Sequence, residues 1–231
     1  MSATPTTEAT PSLKINEIFH SIQGESSWVG YPTVFVRTSG CNLRCRYCDT
    51  TYAYYQGDVR SLDSIIDEIV SYGARHVCLT GGEPLLQPAS LELMRRLCDR
   101  GYKVSLETSG SLDCRPVDLR VKKIIDVKTP DSGARDSFNP VNLPSEPEFR
   151  IVNPEFKTEF KFVICSEEDF YWAEKFAVEN QLFEQTEVLY SPAHQRVDAK
   201  WLASKILSSK SPARLQTQLH KFIWSAHVRG V

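Results

Sequence analysis

Nowhere does the 231-residue chain offer the ~18 consecutive apolar residues that a bilayer crossing requires, so a membrane-spanning protein is excluded. A surplus of one charge is missing too: 27 Lys and Arg stand against 29 Asp and Glu, and a net charge of -2 gives no bulk attraction for a polyanion such as DNA. The opening MSATPTTEATPSLK lacks the basic segment and apolar stretch of a secretory signal. It is polar and Thr-rich, and residues 1–13 are expected to form a disordered leader on a cytoplasmic protein. Also absent is the regular, even-numbered cysteine set of a disulfide framework: of seven cysteines, Cys41, Cys45 and Cys48 crowd into one short stretch while Cys78, Cys98, Cys114 and Cys165 are scattered. In a reducing compartment such a cluster points to a metal.

What is present is globular: 41% hydrophobic and 24% charged residues, enough for one large domain over 14–231. Short β-rich runs alternate with amphipathic helical stretches, the pattern of an α/β fold with a mostly parallel sheet. Strands are expected at 33–38, 76–80, 103–107, 123–127, 159–164 and 187–190, with a closing strand near 214–219. Helices are expected after Ser61, with Leu62, Ile65, Ile66, Ile69 and Val70 as the apolar stripe, from Pro88 to Gly101, and near 167–180 and 198–208. Between 129 and 158 the composition turns to Pro, Asn, Ser, Asp and Gly, as in an irregular connection or lid. The unusual polar residues follow successive strands: CNLRCRYCDT, GGEP, TSG, KTPDSG and SPAHQ. In β/α architectures such loops converge at the carboxyl ends of the strands, so all five can line one cavity.

The spacing Cys41-x3-Cys45-x2-Cys48 places three thiolates on a loop that can wrap one small object. Thiolates select zinc or iron-sulfur clusters. Structural zinc takes four ligands, commonly as two pairs, and no second pair follows here, although Asp49 or a distant Cys could complete such a site. A four-iron cluster takes four thiolates in its closed form, so three leave one iron open to an exogenous ligand, an arrangement suited to chemistry.

The stretch FVRTSGCNLRCRYCDT resembles the cluster loop of the radical S-adenosylmethionine superfamily, and with EIFHSIQGES upstream it is similar more narrowly to the 7-carboxy-7-deazaguanine synthase family. The similarity runs from about residue 14 to the C-terminus through LTGGEP, LETSG, DVKTPDSG, KFVIC, SPAH and QLHKFIW. It implies an incomplete (β/α) barrel, for which 231 residues is the right scale since eight full units need about 250. It also implies a [4Fe-4S] cluster on Cys41, Cys45 and Cys48 whose open iron chelates S-adenosylmethionine and whose electron releases a 5′-deoxyadenosyl radical. The implied substrate is 6-carboxy-5,6,7,8-tetrahydropterin, converted with loss of ammonia to 7-carboxy-7-deazaguanine of the queuosine pathway after hydrogen abstraction at C6. A low-potential donor such as flavodoxin or ferredoxin, and a homodimer, come with the family.

By the same resemblance Tyr47, Cys48 and Asp49, Gly82 and Glu83, Glu107 and Ser109, Asp126, Val127 and Lys128, and Ser191, Pro192 and Ala193 are expected at the cofactor, with Glu83 near the methionine ammonium. Ile22, Gln23, Gly24, Glu25, Thr80 and His220 are expected at the pterin and Arg37 at its carboxylate, where a guanidinium fork is apt. Thr50 matches the position that holds Mg²⁺, a cation that takes hard oxygen ligands and keeps several waters. Each residue also has a plainer use: a packing aromatic for Tyr47, a turn for GGEP, a salt bridge for Lys128, a strand-edge cation for Arg37, a structural imidazole for His220, a loop cap for Thr50. Ser26 departs from the family, whose members often have a second Gly after QGE. The scattered cysteines read as small hydrophobes. The competing readings are an activase that installs a glycyl radical on a partner protein and a non-catalytic zinc-stabilised module.

Overall fold

A computed structural model describes residues 11–144, 158–224 and 228–231. Nine strands form one sheet: β1 (Ser12–Ile22), β2 (Pro32–Thr38), β3 (Asp58–Ser61), β4 (His76–Gly81), β5 (Lys103–Thr108), β6 (Lys122–Val127), β7 (Glu159–Ile164), β8 (Glu187–Pro192) and β9 (Arg214–Leu215). Their order is β3-β1-β2-β4-β5-β6-β7-β8-β9. β1 runs antiparallel to β2 and β3, and every other pairing is parallel. The edge strands β3 and β9 do not pair, so the barrel is incomplete, as expected. Across the opening, the segment after β9 bonds to the segment after β1: Leu219 N–H donates to Gly24 O at 3.0 Å and Gln216 Nε2 to Ser26 O at 3.4 Å.

Helix α1 (Leu62–Ser71) starts where Ser61 Oγ accepts from Ser64 N at 3.2 Å, which satisfies an amide that the first turn cannot. Leu62, Ile65, Ile66 and Ile69 are buried against the sheet, whereas Val70, at the edge of that stripe, is exposed. Helix α2 (Ala89–Asp99) buries Leu93, Met94, Leu97 and Cys98, and with α1 it covers β1, β2, β4 and β5. A second apolar layer joins β6, β7 and β8 to α3 (Glu167–Glu179), α4 (Leu182–Gln185) and α5 (Ala199–Ser209).

Strand alternation sets what faces inward. Along β7, Phe160, Phe162 and Ile164 enter the helix-side core, while Lys161 and Val163 turn to the barrel interior. Along β6, Ile125 and Val127 pack outward and Ile124 and Asp126 inward. The fold thus has an apolar outer shell and a polar lumen.

Three expectations are adjusted. β1 begins at Ser12, and residues 1–10 of the expected leader lie outside the described residues. The connection after β6 contains three short 3₁₀ turns, Pro130–Ser132, Arg135–Ser137 and Pro140–Asn142, and residues 145–157 of it also lie outside the described residues. The closing strand shrinks to Arg214–Leu215, because the residues beyond it turn to meet the loop after β1 and then form the short helix α6 (His220–Ile223).

Candidate active site

A cavity of about 630 Å³ opens at the carboxyl ends of the parallel strands. One wall is the cysteine loop. Cys41, Cys45 and Cys48 are unpaired, half-buried and all line the cavity. The amide of Leu43 donates to Cys41 Sγ at 3.4 Å. Burial pushes the Cys41 and Cys45 thiols up, and the Lys128 ammonium draws both back down. None of the other four cysteines lines the cavity. Among the described residues no three His, Cys, Asp or Glu side chains converge as one metal ion would need. Three free thiols on one cavity wall, with no fourth cysteine lining it, fit a cluster that leaves one corner open.

The glycine pair after β4 exists for close approach. A Cβ on Gly82 would stand 2.0 Å from Gly40 O, and one on Gly81 would stand 2.4 Å from Thr38 O. The first residues of the cysteine loop lie directly on this pair, and Glu83 N–H donates to Gly40 O at 2.8 Å. Any side chain there would lift the loop off the sheet.

Glu83 itself is not among the residues that line the cavity. It is fully buried, and its carboxylate accepts from Thr108 Oγ1 (2.8 Å), Ser109 N (2.8 Å), Ser109 Oγ (2.6 Å) and Leu85 N (3.1 Å). Four donors saturate it, so it fixes the end of β5. Val127 does not line the cavity either. Its side chain belongs to the helix-side core because it alternates with Asp126.

The remaining cofactor candidates, Tyr47, Asp49, Gly82, Glu107, Ser109, Asp126, Lys128, Ser191, Pro192 and Ala193, do line the cavity. The Tyr47 hydroxyl is buried with no hydrogen-bond partner among the described residues, and burial pushes its phenol up. An orphaned polar atom on a cavity wall fits a site built for a polar ligand. Lys128 pairs with Asp126 at 2.9 Å; burial works against its charge, but Asp126, Tyr47 and Cys45 outweigh that and raise its pKa.

The pterin candidates form the other wall. Ile22, Gln23, Gly24, Glu25, Arg37, Thr80 and His220 line the same space. Glu107 stands with them: it accepts from Thr80 Oγ1 at 2.9 Å and Gln23 Nε2 at 3.3 Å, so its carboxylate is tied to two of the pterin candidates. Arg37 Nε donates to Glu17 Oε1 at 2.7 Å, and the Tyr52 hydroxyl donates to the same oxygen at 2.9 Å. Burial pushes the Tyr52 phenol up to about 12. His220 packs so tightly on the loop after β1 that a Cβ on Gly24 would stand 2.2 Å from its Nδ1. Burial lowers the His220 pKa. Thr50 lines the cavity and donates to Asp49 Oδ1 at 2.9 Å; Asp49 pairs in turn with Lys221 at 2.9 Å, which holds its carboxyl well below the usual range against burial. Ser26 adopts a left-handed backbone (φ 66°), and its hydroxyl accepts from Trp28 N at 3.1 Å.

Sequence reasoning missed Glu17, Tyr52, Lys161, Gln218 and Lys221. For Lys161 there was a signal: in EFKFVI, the charged residues and the phenylalanines fall on opposite faces of a strand, which announces a polar lumen. Gln218 and Lys221 carried none, since their place depends on how the C-terminal segment folds back.

Residues 35–131 match the Radical SAM superfamily. The 7-carboxy-7-deazaguanine synthase of Chlorobaculum tepidum is 42% identical over 219 residues, covering 95% of this chain and 97% of that one. The enzyme of the same name from Koribacter versatilis is 39% identical, covering 95% and 100%. The crystal structure of QueE from Escherichia coli superposes with a TM-score of 0.73 over 90% of this chain and 95% of that one, at 22% identity, a likeness of fold. With identity at this level sustained from end to end, the chain belongs to the 7-carboxy-7-deazaguanine synthase family of radical S-adenosylmethionine enzymes.

Proposed function

We propose that this chain is the lyase that converts 6-carboxy-5,6,7,8-tetrahydropterin to 7-carboxy-7-deazaguanine with loss of ammonia, in the queuosine pathway. When bound, a [4Fe-4S] cluster and S-adenosylmethionine supply the 5′-deoxyadenosyl radical that takes the C6 hydrogen of the pterin. Cys41, Cys45 and Cys48 would hold the cluster, three protein ligands for a group that takes four. Tyr47 packs on the adenine, Lys128 offers a cation to the methionine carboxylate, and Asp49, Gly82, Ser109, Asp126 and the Ser191, Pro192, Ala193 turn complete that wall. Glu83 acts at one remove by fixing Ser109, and Val127 by anchoring β6 in the outer core.

On the opposite wall Gln23, Glu25, Glu107 and Thr80 present acceptors and donors to the pterin edge, with Ile22, Gly24 and His220 shaping the floor. Arg37, its Nε held by Glu17, keeps its terminal nitrogens for the substrate carboxylate. Thr50, backed by Asp49, would hold Mg²⁺, which would supply a hard cation for substrate oxygens. A flavodoxin or ferredoxin as electron donor, a homodimer, a cytoplasmic location and one domain over 14–231 complete the proposal. No helix among the described residues is long and apolar enough to cross a membrane.

The observation that carries this reading is that three unclosed thiols share one cavity with a buried arginine and a pair of carboxylates. The test is anaerobic reconstitution with iron and sulfide, then incubation with reductant, S-adenosylmethionine and the carboxytetrahydropterin. Formation of the deazaguanine acid is expected. Cofactor cleavage without that product would leave the superfamily assignment standing and remove the substrate.

A further inference from the structure

The strand β7 carries a cation into the middle of the cavity, and nothing in the reaction assigned above uses it. Lys161 Nζ lies 2.5 Å from Glu25 Oε2 and 3.2 Å from Asp126 Oδ2. Asp126 is paired with Lys128 at 2.9 Å. Charges of alternating sign thus run Glu25, Lys161, Asp126, Lys128, from the pterin wall to the cofactor wall. The other oxygen of Glu25 accepts from Gln218 Nε2 at 2.7 Å, and the Glu25 amide donates to Gln23 Oε1 at 3.1 Å. Every side-chain contact of Glu25 therefore orients its carboxylate, and one of them, Lys161, also holds the cofactor side.

We propose that Lys161 is a positioning residue for the pterin: it fixes the Glu25 carboxylate as an acceptor for the N–H donors of the substrate and ties that orientation to Asp126 across the cavity. The inference rests on the pterin assignment above. The physical need for it is charge. Glu107 from β5 and Asp49 from the cysteine loop bear on Glu25 from the negative side and Lys161 from β7 and His220 from the C-terminal segment on the other, while Asp126 from β6 bears on Lys161 and Lys221 on Asp49. Burial alone raises the pKa of Glu25, and Lys161 together with the Gln218 hydrogen bond more than offsets it, so the group ends below its ordinary value. Glu107, which feels burial and then the Glu25 charge, ends above its own. The two neighbouring acids are thus shifted in opposite directions, with the cation in contact with Glu25 keeping that carboxylate an acceptor. Without Lys161, Glu25 has no cation in contact while burial and the Asp49 and Glu107 carboxylates all work against its charge, so it holds a proton more readily.

The test is binding of the carboxytetrahydropterin to the reconstituted enzyme without reductant, measured by calorimetry from about pH 6 to about pH 9. Wild-type affinity is expected to vary little over that range. Lys161→Met weakens binding on the order of 30-fold near neutrality, and the deficit narrows as pH rises and Glu25 regains its charge. Lys161→Arg keeps a cation and recovers most of the affinity. Added to Glu25→Gln, Lys161→Met changes affinity by less than about threefold, because the group through which Lys161 acts is gone. That double variant removes one charge of each sign and carries the test if Lys161→Met alone does not fold, as read from cluster absorbance and circular dichroism. A Lys161→Met deficit that is absent or constant with pH overturns the proposal, and so does full additivity in the double variant. A wild-type enzyme that does not bind the pterin overturns the substrate assignment and this inference with it.

Discussion

The cysteine loop at one side of the cavity lies outside the strands, whereas Arg37, Thr80, Glu107 and Lys161 on the other side are side chains of the strands themselves. Cys41, Cys45, Cys48 and Tyr47 stand on a loop held to the sheet by backbone contacts with Gly81 and Gly82. Arg37, Thr80, Glu107 and Lys161 stand on β2, β4, β5 and β7, and their partners are other strand or lumen residues. A loop side chain can change without disturbing the core beneath it, while a lumen charge is part of a buried network whose members hold one another in place. Substitutions on the two walls should therefore separate chemistry from stability in opposite ways.

The largest effect is expected on the loop. Cys45→Ala should abolish cluster assembly and turnover, a loss of at least about 10³-fold, because the chemistry belongs to the cofactor the loop holds. Thermal unfolding of the metal-free protein should shift by no more than about 3 °C, within the effect of a half-exposed surface change. Iron content and calorimetry check the two halves. A large loss of stability would mean that the cysteine loop is integral to the core, and the contrast between the walls would fall.

Next comes Arg37→Ala on the strand side. Removing a charge-assisted contact worth roughly 1.5–3 kcal/mol should raise KM for the pterin by about 10- to 150-fold. An analogue lacking the carboxylate should bind wild type and variant alike. If the analogue loses affinity as well, Arg37 serves the pocket's shape by engaging Glu17 and Tyr52, and carboxylate capture must lie elsewhere.

How far these assignments could be read in advance follows the same division. The loop residues were legible because cysteine spacing and paired glycines are local signals, and the strands β2 and β4 to β8 were legible from short apolar runs. β1 was not, since its register shifts between Ile15 and Glu17 and the bulge breaks the alternation that marks a strand. β3 is four residues on an exposed edge, too short to signal. Glu83 was placed at the cofactor by its motif, yet what decides its role is the set of donors that the end of β5 brings to it, which no spacing reveals.

Glu83→Gln sharpens that point with a smaller effect. An amide cannot accept from four donors, and leaving some of them unmatched should cost about 2 kcal/mol, a fall in Tm of roughly 4–8 °C. S-Adenosylmethionine affinity of the folded, loaded variant should stay within about threefold of wild type. Tenfold weaker cofactor binding at unchanged Tm would put the carboxylate back at the ligand.

The smallest effect belongs to Ser26, a non-glycine residue with a left-handed backbone. A non-glycine residue in the left-handed region costs about 1–2 kcal/mol, which argues for Ser26→Gly as a stabilising change. Two terms oppose it. Glycine gives the unfolded chain more freedom, at about 0.5–1 kcal/mol, and the hydroxyl's bond from Trp28 N, about 1 kcal/mol, would be lost. The sum is near zero, so Ser26→Gly should move Tm by less than about 2 °C and leave KM unchanged. Ser26→Ala keeps the backbone penalty and loses the bond, and should cost about 1 kcal/mol. If glycine proves clearly stabilising and alanine neutral, the hydroxyl contributes nothing. The loop after β1 would then owe its shape to the C-terminal clasp on Gly24, Glu25 and Ser26 alone.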